Sequence, residues 1–101
     1  MKQWNRMTKH FGEVAENTIL NFVFEYYGDE KYKSHKESCS CISSKWKDNK
    51  LYIEFDVGPL GIPPENIVNY RQSTKSITIK WESGNTQVLF LKAHVYDKDD
   101  L

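Results

Sequence analysis

The chain has 101 residues, the length of one domain that can bury its own hydrophobic core. Its 14 basic side chains are balanced by 14 acidic ones, which argues against general nucleic-acid binding and against an anionic membrane as partner. No segment is apolar for long enough to span a bilayer, and residues 1–10 lack the apolar stretch of a signal peptide. We therefore expect a soluble protein that stays in the compartment where it is made.

The first nine residues are predicted to be an N-terminal arm. They are polar apart from two large side chains, Trp4 and Met7. Two interpretations stay open: a loosely ordered terminus, or an arm whose Trp4 docks on a neighbouring subunit. The following residues, 10–15, are typical of a short edge strand.

Apolar and polar side chains then alternate with a period of two, which is typical of β-strands. The clearest examples are residues 18–27 and 51–57, and a more polar strand is expected at 31–38. Further strands are predicted at 75–82 and 87–96, while 67–70 is either a brief strand or a helical turn. The residues predicted to face inward are Leu20, Phe22, Phe24, Tyr26, Leu51, Ile53, Phe55, Val57, Ile77, Ile79, Trp81, Leu89, Leu91, Ala93 and Val95.

Short strands at regular spacing, separated by turn residues, predict an all-β sandwich of about six to eight strands. It occupies residues 10–96, and an acidic tail follows at 97–101.

Residues 58–66 contain three prolines and cannot form a helix or a central strand. Leu60 and Ile62 are apolar side chains on this stiff backbone. Together with Pro63 and Trp4, they are the predicted partner-binding residues. The alternative is that the segment is a crossover that covers one end of the core.

The two cysteines, Cys39 and Cys41, are separated by one residue. With His35 they are weak candidates for a metal site, but a structural zinc needs four ligands, and the distant His10 or His94 would have to complete the set. A disulfide is disfavoured because Cα atoms two residues apart in an extended strand are about 7 Å apart. We therefore predict free thiols, no metal and no cofactor. Nucleophilic catalysis would need a positioned histidine and an orienting group, which the sequence does not indicate, so we expect no enzyme.

The order of several short motifs resembles a family of bacterial and phage Ig-like domains of unknown function. That family is marked by a Cys-Gly-Cys motif and is related to the ASH (Hydin-type) domains. The resemblance covers about residues 10–96, and it departs from the family at Ser40, where the family has Gly, and in the long proline segment. The motifs in this chain are Phe11-Gly12-Glu13, Phe22-Val23-Phe24, Ser38-Cys39-Ser40-Cys41, Tyr52-Ile53-Glu54-Phe55-Asp56, Gly61, Lys75-Ser76-Ile77-Thr78-Ile79 and Leu89-Phe90-Leu91.

The resemblance implies an Ig-like β-sandwich that acts as a non-catalytic structural or interaction module. Because the family has phage members, the leading expectation is a virion decoration or assembly protein of a capsid or tail. Such a protein folds in the host cytoplasm and then joins other virion subunits. The alternative is a soluble phage-encoded or bacterial protein, located in the bacterial cytoplasm, that binds and inhibits or regulates a host protein.

Overall fold

The computed structural model of the protein describes residues 3–59 and 70–96. These residues form seven β-strands, and no helix occurs within the two described ranges. The strands are β1 (Thr8–Ala15), β2 (Ile19–Glu25), β3 (Tyr32–Glu37), β4 (Ile42–Lys47), β5 (Lys50–Asp56), β6 (Tyr70–Trp81) and β7 (Thr86–Tyr96).

Two sheets pack face to face around one hydrophobic core. One sheet has the strand order β1-β7-β6-β3, and the other has the order β2-β5-β4. Neighbouring strands are antiparallel except β1, which runs parallel to β7. In the nomenclature of Ig domains, β3, β6 and β7 correspond to strands C, F and G, and β2, β5 and β4 to strands B, E and D. The predicted Ig-like β-sandwich is confirmed.

Alternate residues of each strand build the core, as the period of two predicts. In β5, Leu51, Ile53 and Phe55 are at most 3% exposed, whereas Tyr52 between them is 43% exposed. The predicted inward faces of β6 and β7 are buried as well. The register predicted for β5, β6 and β7 is therefore confirmed.

The strand β2 departs from that rule at one end. Phe24 and Tyr26 are buried, but Leu20 and Phe22 are only partly buried. The reason is that β2 is an edge strand, so part of its inward face lies at the open side of the sandwich. There Phe22 packs edge-on against Phe11 of β1, with ring centroids 6.5 Å apart.

The N-terminal segment is part of the fold, which corrects the prediction of an arm that ends at residue 9. Strand β1 already begins at Thr8, and Trp4 forms an antiparallel bridge with Tyr26. The side chain of Asn5 continues this pairing, because it donates to the carbonyl of Val23 and accepts from the amide of Glu25. The segment thus covers the edge of β2 before the chain crosses to β7.

Two further elements differ from the sequence prediction. The strand β4 was not predicted separately, since its inward positions are Ile42, Ser44 and Trp46, and the polar Ser44 interrupts the apolar pattern. The strand β6 starts at Tyr70 rather than at residue 75. Its first residues are polar, but their backbone groups pair with residues 92–96 of β7. Pairing with a neighbour, which local sequence does not show, extends the strand.

The connections lie at two ends of the sandwich. The hairpin end carries the turns 27–31, 48–49 and 82–85 together with Gln3. The cysteine end carries the turn 16–18, the connection 38–41 and the start of the proline segment. Backbone bonds from Asn17 to Gly58 and from Asp56 to Cys41 join the three parts of the cysteine end.

Candidate functional site

The outer face of the four-stranded sheet is polar and carries positive charge. Cross-strand pairs place Lys36 beside Thr78, Lys80 beside Ser34, and Lys92 between Thr74 and His10. At the described outward positions of β3, β6 and β7 there is no carboxylate and no arginine, whereas β1 places the exposed carboxylate of Glu13 on this face, beside His94. We call Lys36, Lys80, Lys92, His10 and the central Phe90 the basic face.

Phe90 is the apolar centre of the basic face. It lies between Ser76 of β6 and Thr8 of β1, and it is 38% exposed. Small hydroxyl side chains flank the ring, so its face is not covered by long neighbours on either adjoining strand. If a partner surface covers this ring, the complex removes its apolar area from water, which favours binding.

The outer face of the three-stranded sheet has a different charge pattern. Lys45, Lys47 and Lys50 share it with Glu25, Glu54 and Asp56. One of these pairs is close, because Lys50 Nζ lies 3.9 Å from Glu25 Oε1. Opposite charges interspersed on one surface largely cancel at a distance. The net charge of zero therefore does not reveal that one outer face is basic and the other is mixed.

Aromatic side chains from both sheets meet at the hairpin end. Trp4 lies among Tyr26, Trp46 and Trp81, and the rings of Tyr26 and Trp81 are stacked with centroids 4.4 Å apart. Gln87 accepts hydrogen bonds from two of the three indoles of this cluster. Its Oε1 accepts from Nε1 of Trp4 at 3.0 Å and from Nε1 of Trp81 at 3.2 Å.

The burial of Trp4 corrects its assignment as a partner-binding residue. The side chain is 3% exposed and belongs to the core of its own chain. The physical reason is the bridge to Tyr26, which directs the indole between the sheets rather than outward. The other three predicted partner-binding residues, Leu60, Ile62 and Pro63, lie outside the described residues.

A chain of polar groups joins β3 to β4 beside the aromatic cluster. The hydroxyl of Tyr32 lies 2.6 Å from Nδ1 of His35, Nε2 of His35 lies 3.8 Å from Oε1 of Glu37, and Ser44 donates to Glu37 at 2.7 Å. The ring of Tyr32 also stacks on Trp46 with an interplanar angle of 6°.

The electrostatics of this group favour a structural role over nucleophilic catalysis. Burial, followed by the negative charge of Glu37, raises the pKa of Tyr32 above its ordinary value, so the phenol keeps its proton. An activated nucleophile needs the opposite shift. The group therefore bonds two strands of different sheets.

The two cysteines form a disulfide, which corrects the prediction of free thiols. That prediction assumed an extended strand, in which the Cα atoms would be about 7 Å apart. The connection 38–41 turns instead, and the two Cα atoms are 5.1 Å apart. The backbone amide of Ile42 donates to the carbonyl of Cys39 and closes the turn.

The weak candidates for a metal site, Cys39, Cys41 and His35, are not brought together as ligands. Both sulfurs are bonded to each other, and His35 contacts Tyr32 and Glu37. Within the part of the chain that the structure describes, no three His, Cys, Asp or Glu side chains are grouped to hold a metal ion.

The same part contains no helix long and apolar enough to cross a membrane.

No protein-family model matches the sequence, and no curated protein matches it either. Among solved structures, the crystal structure of a point mutant of the SrpA adhesin from Streptococcus sanguinis is similar, with a TM-score of 0.59 and 15% sequence identity. The match covers 92% of this chain and 58% of the adhesin chain, so this chain spans little more than half of the adhesin's length. At that identity the likeness concerns the fold.

Proposed function

We propose that this domain is a non-catalytic interaction module that binds an acidic surface of a protein partner through its basic face. The observation that carries the proposal is the excess of positive charge on that face, where Lys36, Lys80 and Lys92 share the surface with Phe90 and the carboxylate of Glu13 lies on the β1 side, beside His94. Like charges on one surface raise the potential there and steer an oppositely charged partner during encounter. Phe90 then supplies apolar area that the complex buries.

The side chains of the basic face favour a protein partner over a nucleic acid. Domains that bind nucleic acid through phosphate contacts are strongly basic, whereas this chain has a formal net charge of zero. Arginine, whose planar fork suits phosphate, is absent from the described outward positions of β3, β6 and β7. Lysine ammonium groups beside serine and threonine hydroxyls suit carboxylates and carbonyl groups on a protein surface.

Two charge-reversal variants test the proposal. In Lys36→Glu with Lys80→Glu the basic face is changed, while Lys45→Glu with Lys47→Glu changes exposed lysines of the other sheet and alters the net charge equally. Each variant and the native chain are used to capture proteins from a lysate of the source cells, and the captured proteins are quantified by mass spectrometry. We expect a partner whose capture falls about tenfold with the first variant alone and decreases as salt screens the charges. Equal capture by both variants would remove the basic face as the binding surface.

A finer proposal rests on the family resemblance. The module is a component of a phage virion, where it decorates or helps to assemble the capsid or tail, and its partner is another virion subunit. Mass spectrometry of purified virions should then find the chain in a fixed ratio to a major structural protein. Its absence from virions, together with specific capture of a host protein, would favour the alternative of a cytoplasmic inhibitor or regulator.

The similar solved structure supports a binding module only at the level of fold. It is described as an adhesin, and the two proteins share a β-sandwich architecture. Sandwiches of this kind serve many unrelated functions, so the likeness does not choose the partner.

A further inference from the structure

The disulfide at the cysteine end joins two residues that are already close together in the sequence. It joins Cys39 to Cys41, two positions apart, and closes a ring of three residues. A disulfide stabilises a fold chiefly by restricting the unfolded chain, and this effect grows with the length of the closed loop. A three-residue ring restricts little, so stabilisation accounts poorly for the bond.

The connection 38–41 is held in place without the disulfide. Ser38 donates its amide to the carbonyl of Ser76 at 2.8 Å and accepts from the amide of Ser76 at 2.9 Å through its hydroxyl oxygen. On the other side, the amide of Asp56 donates to the carbonyl of Cys41 at 2.9 Å. Because these bonds anchor the connection to β6 and to β5, the two sulfurs stay near each other when the S–S bond is broken.

The two sulfurs have different surroundings. Cys41 is partly buried and packs against the hydrophobic core, whereas Cys39 is not among the residues that pack there. The sulfur of Cys39 accepts a hydrogen bond from the backbone amide of Cys41 at 3.1 Å. An amide donor favours the thiolate form of the sulfur it contacts, and the thiolate is the nucleophile in thiol chemistry.

We propose that Cys39 and Cys41 form a reversible dithiol–disulfide couple that exchanges with external thiols and disulfides, with Cys39 as the attacking sulfur and Cys41 as the resolving one. In the reduced chain, the Cys39 thiolate attacks one sulfur of a disulfide RSSR. A Cys39–SR mixed disulfide forms, and RS⁻ leaves. The Cys41 thiol then loses its proton to solvent and attacks Cys39, which forms the Cys39–Cys41 bond and releases a second RS⁻. Together the two steps convert one RSSR and the dithiol into two RSH and the protein disulfide.

This activity is separate from binding through the basic face, and it uses different residues. It also differs from metal binding, because no third ligand stands near the two sulfurs in the described residues. A small disulfide such as glutathione disulfide can reach the pair, since both cysteines are partly exposed. A protein disulfide presented on an extended segment has the same chemistry.

Equilibration of the purified full chain in glutathione buffers tests the couple. The ratio of glutathione to glutathione disulfide is varied, thiols are trapped by alkylation, and the fractions with zero and two alkyl groups are measured by mass spectrometry. We expect the chain to change from oxidised to reduced within the range of these buffers, and to reach the same fractions from either starting state. A chain that stays oxidised throughout, or that keeps two free thiols throughout, would overturn the proposal.

Two single variants test the roles of the sulfurs. Cys41→Ser leaves the thiol of Cys39 alone, and Cys39→Ser leaves that of Cys41. With glutathione disulfide as the probe, we expect the Cys39 thiol to form the mixed disulfide about tenfold faster. The two variants must show the same unfolding curve, so that a difference in rate reports the sulfur and not the fold. Equal rates, or a faster Cys41, would overturn the assignment of Cys39 as the attacking sulfur.

Discussion

The two ends of the sandwich hold their parts together by different means. At the hairpin end, Trp4, Tyr26, Trp46 and Trp81 come from four distant parts of the sequence, and their ring centroids lie 4.4 to 6.4 Å apart. At the cysteine end, the covalent bond joins two residues of one short connection.

The comparison shows that a covalent bond is not automatically the stronger constraint on a fold. The aromatic cluster ties both sheets and the N-terminal segment together, so its loss exposes apolar surface from every one of them. The disulfide limits a segment that backbone hydrogen bonds already hold. We therefore expect stability to depend on the hairpin end, which leaves the cysteine end available for chemistry and contact.

The largest expected effect is that of Trp4→Ala. The indole is 3% exposed and packs on aromatic rings from β2, β4 and β6, so its removal should lower the free energy of unfolding by about 3–5 kcal/mol. Urea unfolding followed by circular dichroism measures the change. The control is Met7→Ala in the same segment, since Met7 is 42% exposed and should change stability by less than about 0.5 kcal/mol. Similar small effects at both positions would return Trp4 to the role of a docking residue.

The polar atoms of the aromatic cluster provide a second test. Gln87→Leu keeps the volume of the side chain but removes the acceptor of two indole N–H groups. The loss should cost about 1–3 kcal/mol, because the donors are partly buried and would lose their partner. Gln72→Leu makes the same exchange at an exposed position of β6 and should be nearly neutral. If both variants unfold alike, the bonds to Gln87 do not stabilise the hairpin end.

A smaller effect is expected from removal of the disulfide. The double substitution Cys39→Ser with Cys41→Ser should lower the free energy of unfolding by at most about 1.6 kcal/mol, the value for a three-residue ring in the chain-entropy model. Reduction of the native chain without mutation should give the same shift in the urea midpoint. Failure of the double variant to fold would show that the cysteine end stabilises the domain as strongly as the hairpin end does.

The smallest effect on stability is expected from Leu60→Ser with Ile62→Ser, in the segment that continues from the cysteine end. If these side chains contact a partner, unfolding should change by less than about 0.5 kcal/mol while capture of the partner falls. Glu65→Ser serves as a control in the same segment. A loss of several kcal/mol, with capture reduced only in proportion to the folded fraction, would show that the segment covers the core.

Local pattern was enough to predict much of this fold. The alternation in 51–57 and 87–96 predicted which residues of β5 and β7 are buried, because one face of each strand meets the core along most of its length. The same reasoning failed for β4 and for the first half of β6, where polar side chains occupy a strand that exists because its neighbour pairs with it. It also failed for Trp4, since a single large residue in a polar segment has no period.

By itself, the sequence determined the fold class, the inward faces of the apolar strands and the neutral total charge, all of which depend on residue order and composition. Only the tertiary structure decided that Lys36, Lys80 and Lys92 share one face with Phe90, because cross-strand register sets which distant residues are neighbours. It also decided that Cys39 and Cys41 meet. The turn at 38–41 brings their Cα atoms to 5.1 Å, and bonds to β5 and β6 hold that turn in place.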